Sequence, residues 1–210
     1  NNTAVGRDAL AANTTGSYNT AVGSFSLDAN TTGASNTAMG LHALGANTTG
    51  GQNVAFGVET LNANNASNNT AIGFRALLAN TTGTYNTAVG YRTLDTGTTA
   101  NWGTAVGYEA LTNNTGTENT AIGGNALKTN STGGYNTACG ISALESNTTA
   151  SNNTAVGRNA LAVNSTGADN VAVGALALDA NTTASYNTAV GKDAASANTT
   201  GAYNVAVGRS

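Results

Sequence analysis

This chain has little of what most folded domains use for cross-links, metal sites and surface charge. It holds one Cys, one His and no Pro, which excludes a disulfide framework, a cage of Cys and His ligands, and a linker stiffened by proline. Charged residues make up 8% of the chain, against roughly 25% in typical globular proteins. Its net charge of -3 leaves no basic surface, so we expect no nucleic-acid partner.

Long apolar runs are also missing. No stretch reaches the roughly eighteen apolar residues of a membrane span, and Asn1-Asn2-Thr3 does not resemble a signal peptide. We therefore expect no membrane insertion in this segment. Both ends fall in the middle of a repeat, which predicts that residues 1–210 form a single β-solenoid repeat region cut from a longer chain.

Ala, Thr, Asn and Gly dominate instead, and they recur in a repeated unit that reads Asn-Thr-Ala-Val-Gly-x-x-Ala-Leu-x-Ala-Asn-Thr-Thr-Gly-x-Tyr. The Gly that closes Asn-Thr-Ala-Val-Gly returns along the whole chain. Ten of its twelve intervals span seventeen positions and two span sixteen. The short intervals follow Gly57 and Gly107, and both lose a residue from the polar stretch after the Leu. Deletions that recur at one place indicate a surface turn.

The composition favours β-structure over helix, because Thr, Asn and Gly are poor helix formers and no apolar helical stripe persists. One unit has room for about two strands of four or five residues and two turns. Such a unit cannot bury its apolar residues alone, so neighbouring units must stack. The sequence therefore predicts an all-β, parallel β-solenoid of about twelve coils, with equivalent residues above one another every 4.8 Å or so.

Stacking turns each repeated position into a column. We expect the Asn columns to lie inside, where each side chain can bond to the Asn of the next coil, although Asn could also serve as a solvated turn former. Each Asn-Thr-Thr also matches the N-glycosylation pattern, but an inward Asn could not be modified. The predicted ladders include Asn2, Asn19, Asn36, Asn53, Asn13, Asn30, Asn47, Leu10, Leu27, Leu44, Val5 and Val22.

The strand residues allow two assignments of inside and outside. We expect Val5 and Leu10 to fill the interior, with the invariant Ala facing a neighbouring chain; the reverse, with Ala inside and Val outside, stays open. Either way, an apolar strip would face outward, which soluble monomers rarely tolerate. The residues that directly follow the Gly of each repeat add to this apolar strip. They could form an interface or ordinary contacts at the coil corners, and they include Leu41, Val58, Phe74, Tyr91, Tyr108 and Ile141.

The Asn-Thr-Ala-Val-Gly element resembles the head repeats of trimeric autotransporter adhesins. The longer unit, with Ala-Leu and Asn-Thr-Thr-Gly, is similar to repeats in bacteriophage tail fibres and bacterial surface fibres. This resemblance implies a left-handed β-roll, a side-by-side homotrimer or filament, and an extracellular place on a bacterial surface or virion. The period of 17 departs from the adhesin value near 14 or 15, and residues 1–210 contain no stalk or anchor.

Catalytic chemistry is not expected. His42 has no Cys or Ser in an equivalent position and is expected on the surface, while Cys139 takes a Val position, which predicts a buried, inert thiol. The carboxylates form no stacked pairs, and Arg75 and Arg92 share a column that no acid joins. No repeat position carries a regular Asp for calcium. We expect no enzyme activity, no cofactor and no metal.

The position before each Asn is often aromatic, as at Tyr85, Trp102 and Tyr135. These rings could stack on the sugars of surface glycans or a host receptor, or simply pack over the turn. The sequence thus predicts a structural and adhesive fibre segment. The alternatives are an ice-binding solenoid and a carbohydrate-binding solenoid of a phage tail fibre. The adjacent Thr14 and Thr15 argue against ice binding, because neighbours along a strand point to opposite faces.

Overall fold

The computed structural model describes residues 1–209, and its regular elements are thirteen strands of three residues. Within that range there is no helix, and therefore none that could cross a membrane. The chain divides into two compact units, Asn1–Gly103 and Thr104–Ser210. The first unit holds β1 (Thr3–Val5), β2 (Thr20–Val22), β3 (Thr37–Met39), β4 (Val54–Phe56), β5 (Thr70–Ile72) and β6 (Thr87–Val89). The second holds β7 (Thr104–Val106), β8 (Thr120–Ile122), β9 (Thr137–Cys139), β10 (Thr154–Val156), β11 (Val171–Val173), β12 (Thr188–Val190) and β13 (Val205–Val207).

Consecutive strands within each unit pair in parallel, and like residues of successive repeats are partners. Ala4 lies beside Ala21 in the first unit, and Ala155 lies beside Ala172 in the second. The shorter repeats keep this register, since Ala55 pairs with Ala71. The predicted parallel β-solenoid is confirmed, with about twelve turns and with equivalent residues about seventeen positions apart.

Each coil contains one strand of three residues, not the two longer strands predicted. The rest of the coil turns through left-handed backbone, as in the third repeat, where His42, Leu44 and Gln52 have φ of 55°, 53° and 59°. That conformation costs a non-glycine residue roughly 1 kcal/mol or more. Bonds between coils hold it, since all three amides donate to a carbonyl of an adjacent coil at 2.9–3.1 Å. The stack therefore imposes a path that local preference would not choose.

The Gly after each strand is required by both conformation and space. Gly23 has φ of 135°, and a Cβ there would lie 2.6 Å from the carbonyl oxygen of Gly40 in the next coil. Any larger residue would push the coils apart. This explains why the Gly that marks the repeat is constant along the chain.

The coil interior is filled by Ala and Leu. Ala38 and Leu44 are fully buried, whereas Val5 is 58% exposed and Val22 is half-buried. The prediction that Val fills the interior is therefore wrong, and the open alternative, Ala inside and Val outside, is confirmed. We attribute this choice to side-chain volume, because Ala leaves more room than Val for the Leu column that shares the close-packed interior. The Leu ladder prediction is confirmed, because Leu27, Leu44 and their equivalents through Leu178 are buried.

The first Asn column is a ladder of side chain to backbone bonds. The Asn19 amide nitrogen donates to the Gly33 carbonyl at 2.8 Å, and its oxygen accepts the backbone N–H of Asn36 at 2.9 Å. Because the donor to each side-chain oxygen is a backbone N–H, the next residue need not be Asn. Gly103 interrupts the column and still donates its N–H to Asn86 at 2.8 Å.

The second Asn column is a ladder of side chain to side chain bonds. The Asn47 nitrogen donates to the Asn30 oxygen at 2.9 Å and to the Gly50 carbonyl at 3.0 Å. Both hydrogens of the amide are thereby used inside the coil. The predicted asparagine ladder is confirmed, and the alternative of a solvated turn former is wrong for the buried Asn residues.

Candidate functional site

The outward side of the strands presents two columns of side chains, which we name the strand face. Strand side chains alternate, so the first and third residues point outward when the central Ala points inward. In β3, for example, Thr37 and Met39 are exposed around a buried Ala38. Thr and Val columns therefore run side by side on one surface of each unit.

Large apolar side chains are exposed at the ends of three strands of the first unit and just beyond them, and we name this group the apolar patch. From each of β3, β4 and β5 it takes the last strand residue and the residue that follows the next Gly. Its members are Met39, Leu41, Phe56, Val58, Ile72 and Phe74, each between 38% and 52% exposed. Contiguous exposed apolar surface of this kind marks interaction sites in soluble proteins.

The residues predicted as an interface are all exposed, and they fall into two groups. Leu41, Val58, Phe74 and Tyr91 follow one another in consecutive coils of the first unit, and the Phe74 ring stacks on Tyr91 at 5.5 Å. Tyr108 and Ile141 lie in the second unit, where Gly124 separates them in the column. A continuous apolar surface in this column is therefore a feature of the first unit.

The aromatic column is stacked ring on ring where two aromatics are adjacent. Tyr85 and Trp102 lie 4.2 Å apart between centroids, at an interplanar angle of 11°. Each ring thus covers one face of its neighbour, which reduces the area on which a sugar could stack. Tyr135 differs, because Glu118 and Asn152 occupy the adjacent positions of its column and its ring is 57% exposed.

A charged cluster in the first unit corrects the prediction that no acid joins Arg75 and Arg92. Asp95, which is 1% exposed, accepts a hydrogen bond from Arg92 Nε at 2.6 Å and lies 3.6 Å from Arg75 Nε. Glu59 lies 3.8 Å from Arg75 on the other side. Asp95 is in another column, three residues after Arg92, and that spacing was the sequence signal for the pair. The cluster is balanced in charge and ties neighbouring coils together.

Two groups of the second unit have shifted pKa values. The Lys128 ammonium donates to the Glu109 carboxylate at 2.7 Å, and this bond raises the pKa of Lys128 above its usual value. Burial raises the pKa of the Asp179 carboxyl, and the nearby charge of Asp193 raises it further, against opposing backbone hydrogen bonds. Both shifts make the stability of the fold depend on pH.

His42 and Cys139 belong to different units, and each lies at the surface of its own unit. His42 is half-buried at the coil surface, and its ring stacks on Phe25 at 5.0 Å. Cys139 is exposed, so the prediction of a buried thiol is wrong. The error follows directly from the Val column, since Cys139 occupies a position of that column and the column faces outward.

Among residues 1–209, no three His, Cys, Asp or Glu side chains are grouped as metal ligands would be. Comparisons of the chain with protein-family models, with curated proteins and with solved structures found no match.

Proposed function

We propose that this chain is a structural and adhesive segment of an extracellular fibre, without enzyme activity, on a bacterial surface or a virion. The observation that carries the proposal is the exposed apolar patch on a coil stack whose Leu and Ala columns are already buried inside each coil. The left-handed roll and the homotrimer implied by the resemblance belong to the same proposal.

The interior supports a structural role. At Asn47 of the second Asn ladder both amide hydrogens bond within the stack, and the Leu and Ala columns are buried in the core. Chemistry-bearing residues are few and scattered on the outside. A stack of this kind presents the same columns at a constant spacing, which suits repeated contacts with identical neighbours.

The patch favours a second and third copy of this chain as its partners. The side chains of Met39, Phe56 and Phe74 are apolar, and the nearby charged cluster is already balanced by internal pairs. An uncharged apolar partner is therefore required. Chains placed side by side in parallel would offer matching patches at the same height.

Sedimentation equilibrium tests this proposal. We expect the wild-type chain to be trimeric, and the double variant Phe56→Ser, Phe74→Ser to be monomeric with an unchanged circular dichroism spectrum. Tyr135→Ser with Val163→Ser removes two exposed apolar side chains elsewhere and should leave the trimer intact. A wild-type chain that stays monomeric at micromolar concentration would contradict the proposed assembly.

The adhesive part of the proposal places a glycan or receptor contact at Tyr135, an exposed ring that, like Tyr18, has no aromatic neighbour in its column. Stacking of a sugar on one ring contributes modestly, so binding should be weak and multivalent. Glycan-array binding that is lost in Tyr135→Ala and retained in Trp102→Ala supports this contact. Unchanged binding by Tyr135→Ala contradicts it.

Ice binding is the second candidate, because the outward Thr and Val of each strand lie two residues apart on one face, as in Thr20 and Val22. The pair Thr14 and Thr15 is therefore not the pair that decides this function. The bulky members of the apolar patch interrupt the regular surface that ordered water needs. Thermal hysteresis near zero at high protein concentration rejects this candidate and leaves the fibre proposal standing.

A further inference from the structure

The second Asn column combines two properties that conflict in some cellular compartments. Seven of its members are fully buried and also begin an Asn-x-Ser/Thr acceptor sequence for N-glycosylation: Asn30, Asn47, Asn80, Asn130, Asn147, Asn164 and Asn181. Their surroundings in the coil determine what a glycan there would do.

Each of these amides uses both of its hydrogens inside the coil. Asn147, for example, donates to the Asn130 oxygen at 2.7 Å and to the Ala150 carbonyl at 3.0 Å. Asn181 repeats the arrangement, with bonds to Asn164 and Ala184 at 3.0 Å each. No hydrogen of the amide faces solvent, so the folded coil cannot offer this nitrogen to a transferase.

Glycan transfer would prevent the same coil from closing. In that reaction the amide nitrogen bonds to the anomeric carbon of a lipid-pyrophosphate-linked oligosaccharide, whose bond to the phosphate oxygen breaks while the amide proton passes to the released lipid pyrophosphate. The product keeps one N–H, so one ladder bond is lost. A sugar ring would also have to occupy an interior that Leu and Ala already fill.

The acceptor sequence is completed by a residue that the core does not need. The second Thr of each Asn-Thr-Thr is exposed, as at Thr49, Thr149 and Thr183. The acceptors can therefore be removed at the surface while every buried Asn stays in place.

We propose that this chain folds only where unfolded polypeptides are not N-glycosylated, because modification of the seven buried Asn residues and closure of their coils exclude each other. The inference is independent of the fibre function, since it concerns how the chain is made. It places maturation outside any secretory route that glycosylates chains before they fold.

The experiment compares three chains in two hosts, the cytoplasm of a bacterium and the secretory pathway of a glycosylating yeast. The acceptor-free variant carries Thr→Ala at Thr32, Thr49, Thr82, Thr132, Thr149, Thr166 and Thr183. The matched control carries Thr→Ser at the same positions and so keeps every acceptor. Exposed acceptors such as Asn65 and Asn152 remain in all three chains and report that the transferase is active.

We expect all three chains to fold in the bacterium. In the yeast, peptides of the wild type and the Ser variant that contain the seven Asn residues should carry glycans, and neither chain should be secreted in a protease-resistant, folded form. The Ala variant should be secreted folded. An inhibitor of lipid-linked oligosaccharide synthesis should restore the wild type, and this measurement holds even if the Ala variant folds poorly. If untreated yeast secretes folded wild type, whether or not the buried acceptors carry glycans, the proposal is overturned. It is also overturned if the inhibitor does not restore secretion of folded wild type.

Discussion

Ala and Val differ by two carbon atoms, and that difference separates inside from outside in the strands. Ala155 is fully buried, while Val156 beside it is 37% exposed. Both are apolar, so hydrophobicity alone would allow either to face the core. Ala shares the close-packed interior with the buried Leu column, so we attribute the assignment to side-chain volume.

A pair of substitutions at β10 tests this volume argument. Ala155→Val should destabilise the protein by about 1–3 kcal/mol, because two extra carbons overpack a filled interior. Val156→Ala should change the free energy of unfolding by less than about 1 kcal/mol, because its side chain is partly exposed and its loss leaves no closed cavity. Urea denaturation measures both, and equal effects for the two variants would show that the inward and outward assignment is wrong.

Asp179 predicts a pH dependence of stability. Its pKa is raised from the usual 3.8 in the folded state, chiefly by burial, so the folded protein holds this proton more tightly than the unfolded chain. The free energy of unfolding should therefore fall as pH rises from below 3.8 through the raised pKa, and the ionised carboxylate is destabilising at neutral pH.

Asp179→Asn should remove the destabilisation that the ionised carboxylate causes. The melting temperature should therefore rise at pH 7 and stay nearly unchanged at pH 3. Asp28→Asn controls for the loss of a negative charge, because Asp28 occupies the same column. Thermal melts of the three chains across this pH range provide the measurement. A lower melting temperature of Asp179→Asn at pH 7 would mean that the carboxylate is stabilised in the fold.

At the scale of the coil, the Asn ladders connect neighbouring coils through side-chain hydrogen bonds, as backbone hydrogen bonds connect the strands of a sheet. They bond coil to coil in a stretch where the backbone turns and regular strands are absent. Buried amides without such partners would be strongly unfavourable. The ladders thus provide hydrogen-bond partners for the polar amides that are buried beside the Leu and Ala columns.

Asn147→Ala should destabilise the protein by about 2–4 kcal/mol. It removes the donor to the Asn130 oxygen and to the Ala150 carbonyl, and each buried group left unpaired costs roughly 1–3 kcal/mol. Asn62→Ala is the control and should change little, since the same column holds Ala11. Chemical denaturation compares them, and similar midpoints would contradict a stabilising ladder.

At the scale of the molecule, each unit is a sum of nearly equivalent coils in contact with their neighbours. Such proteins tolerate changes in coil number better than changes in coil length. The shorter natural repeats lose one residue at the turn and keep their strand register, since Ala105 still pairs with Ala121. The fold therefore depends on the register between neighbouring coils more than on the total number of residues.

Deletion of residues 136–152 removes one complete coil and brings Asn153 directly after Tyr135. We expect this variant to remain folded, with a melting temperature within several degrees of the wild type. Deletion of 136–144 removes about half a coil and places Glu145 where an Asn belongs, so that chain should lose its β circular dichroism signal. Unfolding by both deletions would argue against interchangeable coils.

The stacked register and the buried Asn and Leu columns could be predicted from the amino-acid order. A residue such as Asn47 or Leu44 returns every 16 or 17 positions, and only stacking with an inward side chain gives that regularity a physical purpose. The side of the strand that faces inward could not be predicted, because Ala and Val are both apolar and the width of the coil appears only when its walls are assembled. The exposed Cys139 follows from the same missing information.

Other features depend on how distant columns approach one another. Asp95 reaches Arg75 across coils, and Leu44 keeps its left-handed backbone because bonds from the next coil hold it. Repeat spacing determines which residues lie above one another, because backbone hydrogen bonds between coils pair equivalent positions. The inward side of the strand and the charge pairs arise from three-dimensional packing, because they depend on distances between residues that the repeat does not align.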